Sequence, residues 1–233
     1  QLAASAQENA AFLAEHGSVV VKPVNGEQGQ GVAVDLRDAD ALEHAVERAR
    51  QFDGRVLLES YHPGLDLRIV VIGYAVVAAA IRRPAQVIGD GRNTIGALIE
   101  AQSRRRQAAT GGESRIPLDD ETHRCLQEAG LDVDSVLEQG RQLAVRRTAN
   151  LHTGGTLEDV TEQLHPELAD AAVRAARALD IPVVGLDLLV EAADRPDYVF
   201  IEANERVGLA NHEPQPTAER FIDLLFPLSH NTH

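Results

Sequence analysis

Lysine is almost missing from this chain: of 22 basic residues only Lys22 is a lysine, and the other 21 are arginines. Methionine is absent altogether, which leads us to expect a piece of a longer polypeptide. A single cysteine, Cys125, excludes an internal disulfide and fits a reducing compartment, with the cytoplasm as the expected location. No apolar run approaches the ~20 residues that a membrane helix needs, and the start at Gln1 carries no basic-then-apolar signal pattern. Surplus positive charge is lacking too. The formal net charge is −14, which argues against partners rich in phosphate, nucleic acid and anionic membrane alike. Any phosphate bound here must meet a local cationic pocket.

With 233 residues, 44% of them hydrophobic, the chain can bury a substantial core in one domain or two closely packed lobes. The lone lysine stands in an informative place. Lys22 ends the β-branched run Val19-Val20-Val21, precedes Pro23, and opens a stretch punctuated by Gly26, Gly29 and Gly31 before the apolar run Val32-Ala33-Val34. Strand, cation, glycine loop and strand together suit a phosphate grip: the glycines let backbone N–H groups approach a polyphosphate, and a compact ammonium neutralises one of its oxygens. The same pattern also suits an ordinary hairpin with a lysine at its edge.

The coarse order is mixed. A helix over Ala3–Glu15 leads into the strand at Val19, the loop, a second strand at Val32–Val34, and a helix over Ala41–Phe52 capped by Asp38 or Asp40. Strands follow at Arg55–Glu59, Leu67–Ile72 and Tyr74–Ile81, then a helix over Arg92–Arg106, a polar loop over Ala108–Pro117, and a helical patch around Glu121–Glu138. The run Arg104-Arg105-Arg106 reads as a solvated helix end. After a strand-like segment at Val145–Asn150 and a turn at Gly154-Gly155, His165-Pro166 starts an amphipathic helix to Leu179, followed by strands at Val183–Val190 and Tyr198–Asn204.

The two late strands carry the sharpest chemistry. Period-two geometry puts Glu202 and Asn204 on one face, and Asp187 sits inside the apolar run Val183–Leu189. If the strands pair, two carboxylates and a carboxamide converge. That oxygen-only set suits Mg²⁺ bridging nucleotide phosphates and does not suit zinc. The alternative is that Asp187 caps a turn and Glu202 pairs with an arginine. Arg68, Arg82, Arg83, Arg146 and Arg147 lie in strand-like segments, the kind of cationic set that phosphoryl transfer uses for positioning and charge stabilisation.

The whole order resembles the ATP-grasp superfamily of carboxylate–amine ligases, through Val21-Lys22-Pro23 with its glycine loop, Leu57-Leu58-Glu59-Ser60-Tyr61, Gly64-Leu65-Asp66-Leu67-Arg68, and the strands with Asp187, Glu202 and Asn204. The strings from Arg82-Arg83-Pro84 to Gly91 and from Arg147-Thr148-Ala149-Asn150 to Thr156 are similar to the branch holding cyanophycin synthetases and fused glutathione-making enzymes. The ending Glu202 to Thr217 is similar to the ligase domain of N-acetylglutaminylglutamine synthetases, which follows an acetyltransferase domain and implies such an N-terminal region. The resemblance implies an α+β ATP-grasp fold: two lobes with antiparallel-rich sheets gripping ATP, the small one at 1–55 and the large one at 56–233. It implies that Lys22, Gly26, Gly29, Gly31, Glu59, Tyr61 and Asp66 bind ATP, that Arg68, Arg82 and Arg147 surround the transferred phosphate, and that Asn150, Gly154, Gly155 and Asn211 hold substrate. Asp187, Glu202 and Asn204 would bind one or two Mg²⁺, with Mn²⁺ as a substitute. The implied activity is ATP-dependent amide formation through an acylphosphate on glutamine- or glutamate-type amino acid or peptide substrates, without nucleic acid or membrane; self-assembly is left open. Two other readings stand beside it: a nucleotide-binding module without turnover, and an enzyme that passes its acylphosphate to a thiol.

Overall fold

The computed structural model describes residues 1–25, 30–209, 212 and 214–227. They divide into two compact units, one of residues 1–61 with 84–156, the other of residues 62–83 with 157–233. The expected lobes at 1–55 and 56–233 remain a proposal about how the chain works; compactness groups it differently, placing 84–156 with the N-terminal segment.

The first unit begins with helix α1 (Ala6–His16), whose Ser5 and Glu8 form a capping box, followed by strand β1 (Val19–Pro23), strand β2 (Ala33–Leu36), helix α2 (Ala39–Arg50) and strand β3 (Val56–Ser60). The strands form an antiparallel sheet in the order β2-β1-β3. Asp38 caps α2 by accepting from the Asp40 and Ala41 N–H groups, and Leu42, Ala45, Val46 and Ala49 fall on one buried face packed against that sheet. Residues 84–156 build a second core in the same unit. Strand β6 (Gln86–Ile88) pairs antiparallel with β7 (Gln142–Ala144), beside helices α3 (Ile95–Ala109) and α4 (Asp120–Glu128), around Val87, Ile95, Ile99 and Leu126.

Three expectations change here. The helix expected from Arg92 starts at Ile95, because the Thr94 hydroxyl accepts from the Ala97 N–H and caps it there. The helical patch over 121–138 shrinks to α4: Gly130 at φ +71° follows its end, and Leu131–Glu138 run on as turns and loop. Arg146 and Arg147 are not in a strand. The Glu121 carboxylate takes the backbone N–H groups of Arg147 and Thr148, donors that a ladder would otherwise have used.

The second unit holds one five-stranded sheet in the order β10-β9-β4-β5-β8, from β4 (Leu65–Ile72), β5 (Ala75–Arg83), β8 (Thr156–Asp159), β9 (Val183–Val190) and β10 (Tyr198–Asn204). Helix α5 (Pro166–Leu179) starts with proline at its first turn after the His165 cap. It lays Leu168, Ala172 and Ala176 on the sheet face formed by Leu67, Ile69, Leu186 and Leu188, all fully or almost fully buried. The opposite face carries the polar residues of the next section, and its far end is covered by helix α6 (Thr217–Leu225), with Phe221 against Val70 and Ile72. Strands β6, β7 and β8 and helix α6 had no sequence expectation: the strands are too short to display a period, and α6 lacks a side-chain cap. Among the described residues no helix is long and apolar enough to cross a membrane.

Candidate active site

Register decides what the polar face of the second unit presents. On β4 Asp66 stands opposite Arg82 of β5, and Arg68 stands opposite Asp187 of β9. On the outer side Glu202 of β10 pairs with Asp187, and Asn204 with Gly185. That last alignment depends on an irregularity between Phe200 and Glu202. Phe200 pairs with Leu188, on the α5 face; with Ile201 paired in a regular ladder, Glu202 would meet Leu186 and point to that face as well. The bulge at Ile201 reverses the parity and aims Glu202 and Asn204 at the side of Asp187.

The result is a compact charge cluster. Arg68 Nε lies 2.6 Å from Asp187 Oδ1, and its Nη2 donates to Oδ2 at 3.2 Å. Arg82 Nη2 bridges Asp66 Oδ1 at 2.7 Å and Asp187 Oδ2 at 2.9 Å. Asp187 is 3% exposed, and burial pushes its carboxyl up to about 7 against the opposing pull of Arg82 and Arg68, with a hydrogen bond to Glu202 adding to the rise. Burial likewise raises Asp66. Asp187 Oδ1 is buried and has no hydrogen-bond donor among the described residues, although Arg68 Nε lies close as its ion-pair partner. Asn204 Nδ2 donates to Glu202 Oε1 at 2.8 Å. The alternative in which Asp187 caps a turn does not hold: Asp187 lies within β9 and pairs with Arg68 and Arg82.

Gly185 makes this possible. A Cβ at that position would overlap the Arg68 guanidinium, so only glycine leaves the strand open for the side chain that reaches across it. His212, 8% exposed, has a buried Nδ1 with no partner among the described residues, and burial together with nearby Arg68 and Arg82 lowers its basicity.

The other expected residues belong to the first unit. Lys22 Nζ lies 2.7 Å from Glu59 Oε2, joining two of the expected ATP-binding side chains across β1 and β3. The Tyr61 N–H donates to the Ser18 carbonyl at 3.0 Å. Gly31, at φ +70°, lies against Phe52. Arg147 pairs with Glu128 at 2.6 Å. Asn150 opens a tight turn: its Oδ1 accepts from the His152 N–H at 2.8 Å and its carbonyl from the Gly155 N–H at 2.8 Å. Gly154 at φ +93° fits there because a side chain would strike Ile116. Gly26, Gly29 and Asn211 lie outside the described residues. No group of three or more His, Cys, Asp or Glu is gathered for a metal among the described residues; the expected set has two carboxylates and takes its third donor from Asn204.

Comparison with known proteins agrees with this architecture. A family profile described as the ATP-grasp domain of prokaryotic glutathione synthetase matches residues 1–131, and one described as a RimK-like ATP-grasp domain matches residues 123–223. The chain belongs to the ATP-grasp family. It is 36% identical over 222 residues to a cyanophycin synthetase of Trichormus variabilis, covering 90% of this chain and 25% of that protein. It is 32% identical over 204 residues to the glutathione biosynthesis bifunctional protein GshAB of Mannheimia succiniciproducens, covering 82% and 27%. A crystal structure of a bifunctional glutathione synthetase from Pasteurella multocida superimposes with a TM-score of 0.60 and 25% identity over 97% of this chain and 33% of that one. The chain thus spans about a quarter of the length of these curated relatives.

Proposed function

We propose that this chain is the catalytic domain of an ATP-dependent ligase that joins a carboxylate to an amine. The observation that carries the reading is the cluster of Arg68, Arg82, Asp66 and Asp187 on one sheet face with Glu202 aligned beside it, in a member of the ATP-grasp family. Asp187, Glu202 and Asn204 are the residues that would hold Mg²⁺. They fit it: all three offer oxygen, register brings Asp187 and Glu202 side by side, and Asp187 Oδ1 retains unused acceptor capacity in a buried setting. The ion's contribution when bound is to neutralise polyphosphate charge.

The residues divide the remaining work. Arg68 and Arg82 present planar forks of N–H donors matched to phosphate oxygens and would hold the transferred phosphate, with Arg147 as a third. Lys22 would neutralise a nucleotide phosphate, Glu59 and the Tyr61 backbone would meet the base, and Asp66 the ribose. A substrate carboxylate oxygen attacks the γ-phosphorus of ATP, the bond to ADP breaks, and an acylphosphate forms. The amine nitrogen then attacks the acyl carbon, phosphate leaves, and the nitrogen gives up a proton. The turn at Asn150–Gly155 would hold the acyl group. Glutamine- or glutamate-type substrates, as in N-acetylglutaminylglutamine synthesis, are what the resemblance of the ending from Glu202 to Thr217 favours.

The test is ADP release with Mg²⁺ across a panel of amino acids including N-acetylglutamine and glutamate. Turnover that requires both carboxylate and amine, and that disappears in Asp187→Ala, supports the ligase. Nucleotide binding without any substrate-dependent turnover would overturn it, and hydroxamate accumulating with hydroxylamine while no amine yields amide would point to a different acceptor.

A further inference from the structure

The arginine run at the end of α3 divides. Arg104 and Arg105 are exposed, whereas Arg106 turns inward. Its Nη2 donates a short hydrogen bond to the Gly155 carbonyl, and its Nε donates to Ser114 Oγ at 3.0 Å. Ser114, 4% exposed, passes the contact on: its hydroxyl donates to the Leu151 carbonyl at 2.5 Å. The neighbouring Arg115 N–H donates to the His152 carbonyl at 3.0 Å. Three carbonyls of the turn 150–155 are therefore held by one wall, residues 106–115, and Arg106 is the only side chain on that wall whose fork reaches both the turn and the serine that braces it. The wall is itself tied down, since Thr110 Oγ1 donates to the Arg106 carbonyl at 2.8 Å and accepts from the Ser114 N–H at 3.0 Å.

We propose that Arg106 is a positioning residue for substrate: it fixes the shape of the Asn150–Gly155 turn and through it the affinity for the carboxylate substrate. This rests on the reading above that the turn holds the acyl group. A lysine would keep the charge and reach one acceptor; only a planar fork serves two at once. The choice of arginine here thus has a geometric reason apart from the chain's general avoidance of lysine.

The test compares Arg106→Gln, Arg106→Lys and the exposed control Arg105→Gln in steady-state kinetics and in hydrogen exchange of the turn amides. The expected result for Arg106→Gln is a rise of at least about tenfold in KM for the carboxylate, the scale of a lost charge-assisted hydrogen bond, with kcat and the KM for ATP within about twofold. Arg106→Lys should recover part of the loss, and Arg105→Gln should match the parent. An unchanged carboxylate KM, or a loss spread equally over ATP and carboxylate together with a lower Tm, would overturn the proposal. Should the parent protein show no carboxylate-dependent turnover, the ligase reading fails separately. Exchange then decides: faster exchange confined to residues 151–155 in Arg106→Gln supports the brace, and unchanged exchange removes it.

Discussion

At the scale of single residues, the cluster around Asp187 obeys a simple constraint: a buried carboxylate must be paired, and here two guanidiniums do it. Gly185 is as necessary as any charged member, because its missing side chain is the space that Arg68 occupies. Gly185→Ala should displace Arg68, destabilise the protein by about 1–3 kcal/mol as overpacking does, and depress turnover by more than about tenfold; chemical denaturation and ADP release measure the two effects separately. Asp187 also predicts a pH dependence. Its folded-state value of about 7 stands above the ~3.9 of an unfolded aspartate, so the stability it contributes is complete at low pH and is lost as pH rises toward 7, where the unfolded chain has already shed the proton. A divalent cation needs the ionised form. Stabilisation by Mg²⁺ in a thermal-shift assay should therefore be small at pH 6, grow through pH 7 to pH 8, and vanish in Asp187→Asn.

At the scale of elements, local pattern and pairing contribute differently. The alternation in β10 made it legible that Glu202 and Asn204 share a face. That this face is also the face of Asp187 was not legible, since the bulge at Ile201 sets it and a bulge leaves no period-two signature. Deleting Ile201 should turn the same register into a regular ladder, with Phe200 still opposite Leu188 and Glu202 still opposite Asp187, so Mg²⁺ binding should survive; isothermal titration with MgCl₂ on the folded variant checks the point, and loss of binding would show that the bulge does more than set the register. Helix α4 offers a second case. Glu121 appeared in the sequence as one more helical acid, yet its Oε2 pairs with Arg146 at 2.6 Å while its Oε1 holds the Arg147 N–H at 3.0 Å. Arg146 is 5% exposed and also donates to Asp119 at 2.8 Å and to the Thr122 hydroxyl at 3.2 Å. Glu121→Ala leaves Arg146 its Asp119 partner and should cost about 1–3 kcal/mol, the loss typical of leaving buried donors without an acceptor, in urea unfolding. An exposed pair such as Arg195 with Glu191 should change stability by less than about 1 kcal/mol when broken.

At the scale of the whole molecule, the apolar residues gather into separate clusters: one around α2 and its sheet, one around α3 and α4, and one between α5 and the five-stranded sheet. Separate cores permit separate opening. Leu42→Ala, at a fully buried position, should remove about 2–5 kcal/mol and raise hydrogen exchange in β1, α2 and β3 while leaving β4 and β9 protected as before. By itself the sequence determined the α+β class, the strands β1, β4, β9 and β10, the helices α2 and α5, and the residue types suited to phosphate and magnesium, because these rest on local alternation, capping and composition. Only the tertiary structure decided that Asp187 is held by Arg68 and Arg82, that Gly185 opens the strand for them, that a bulge aims Glu202, and that Arg106 and Glu121 brace the segment from Arg146 to Gly155. Those relations join residues far apart in the chain, and strand register and side-chain reach, which no local period encodes, bring them together.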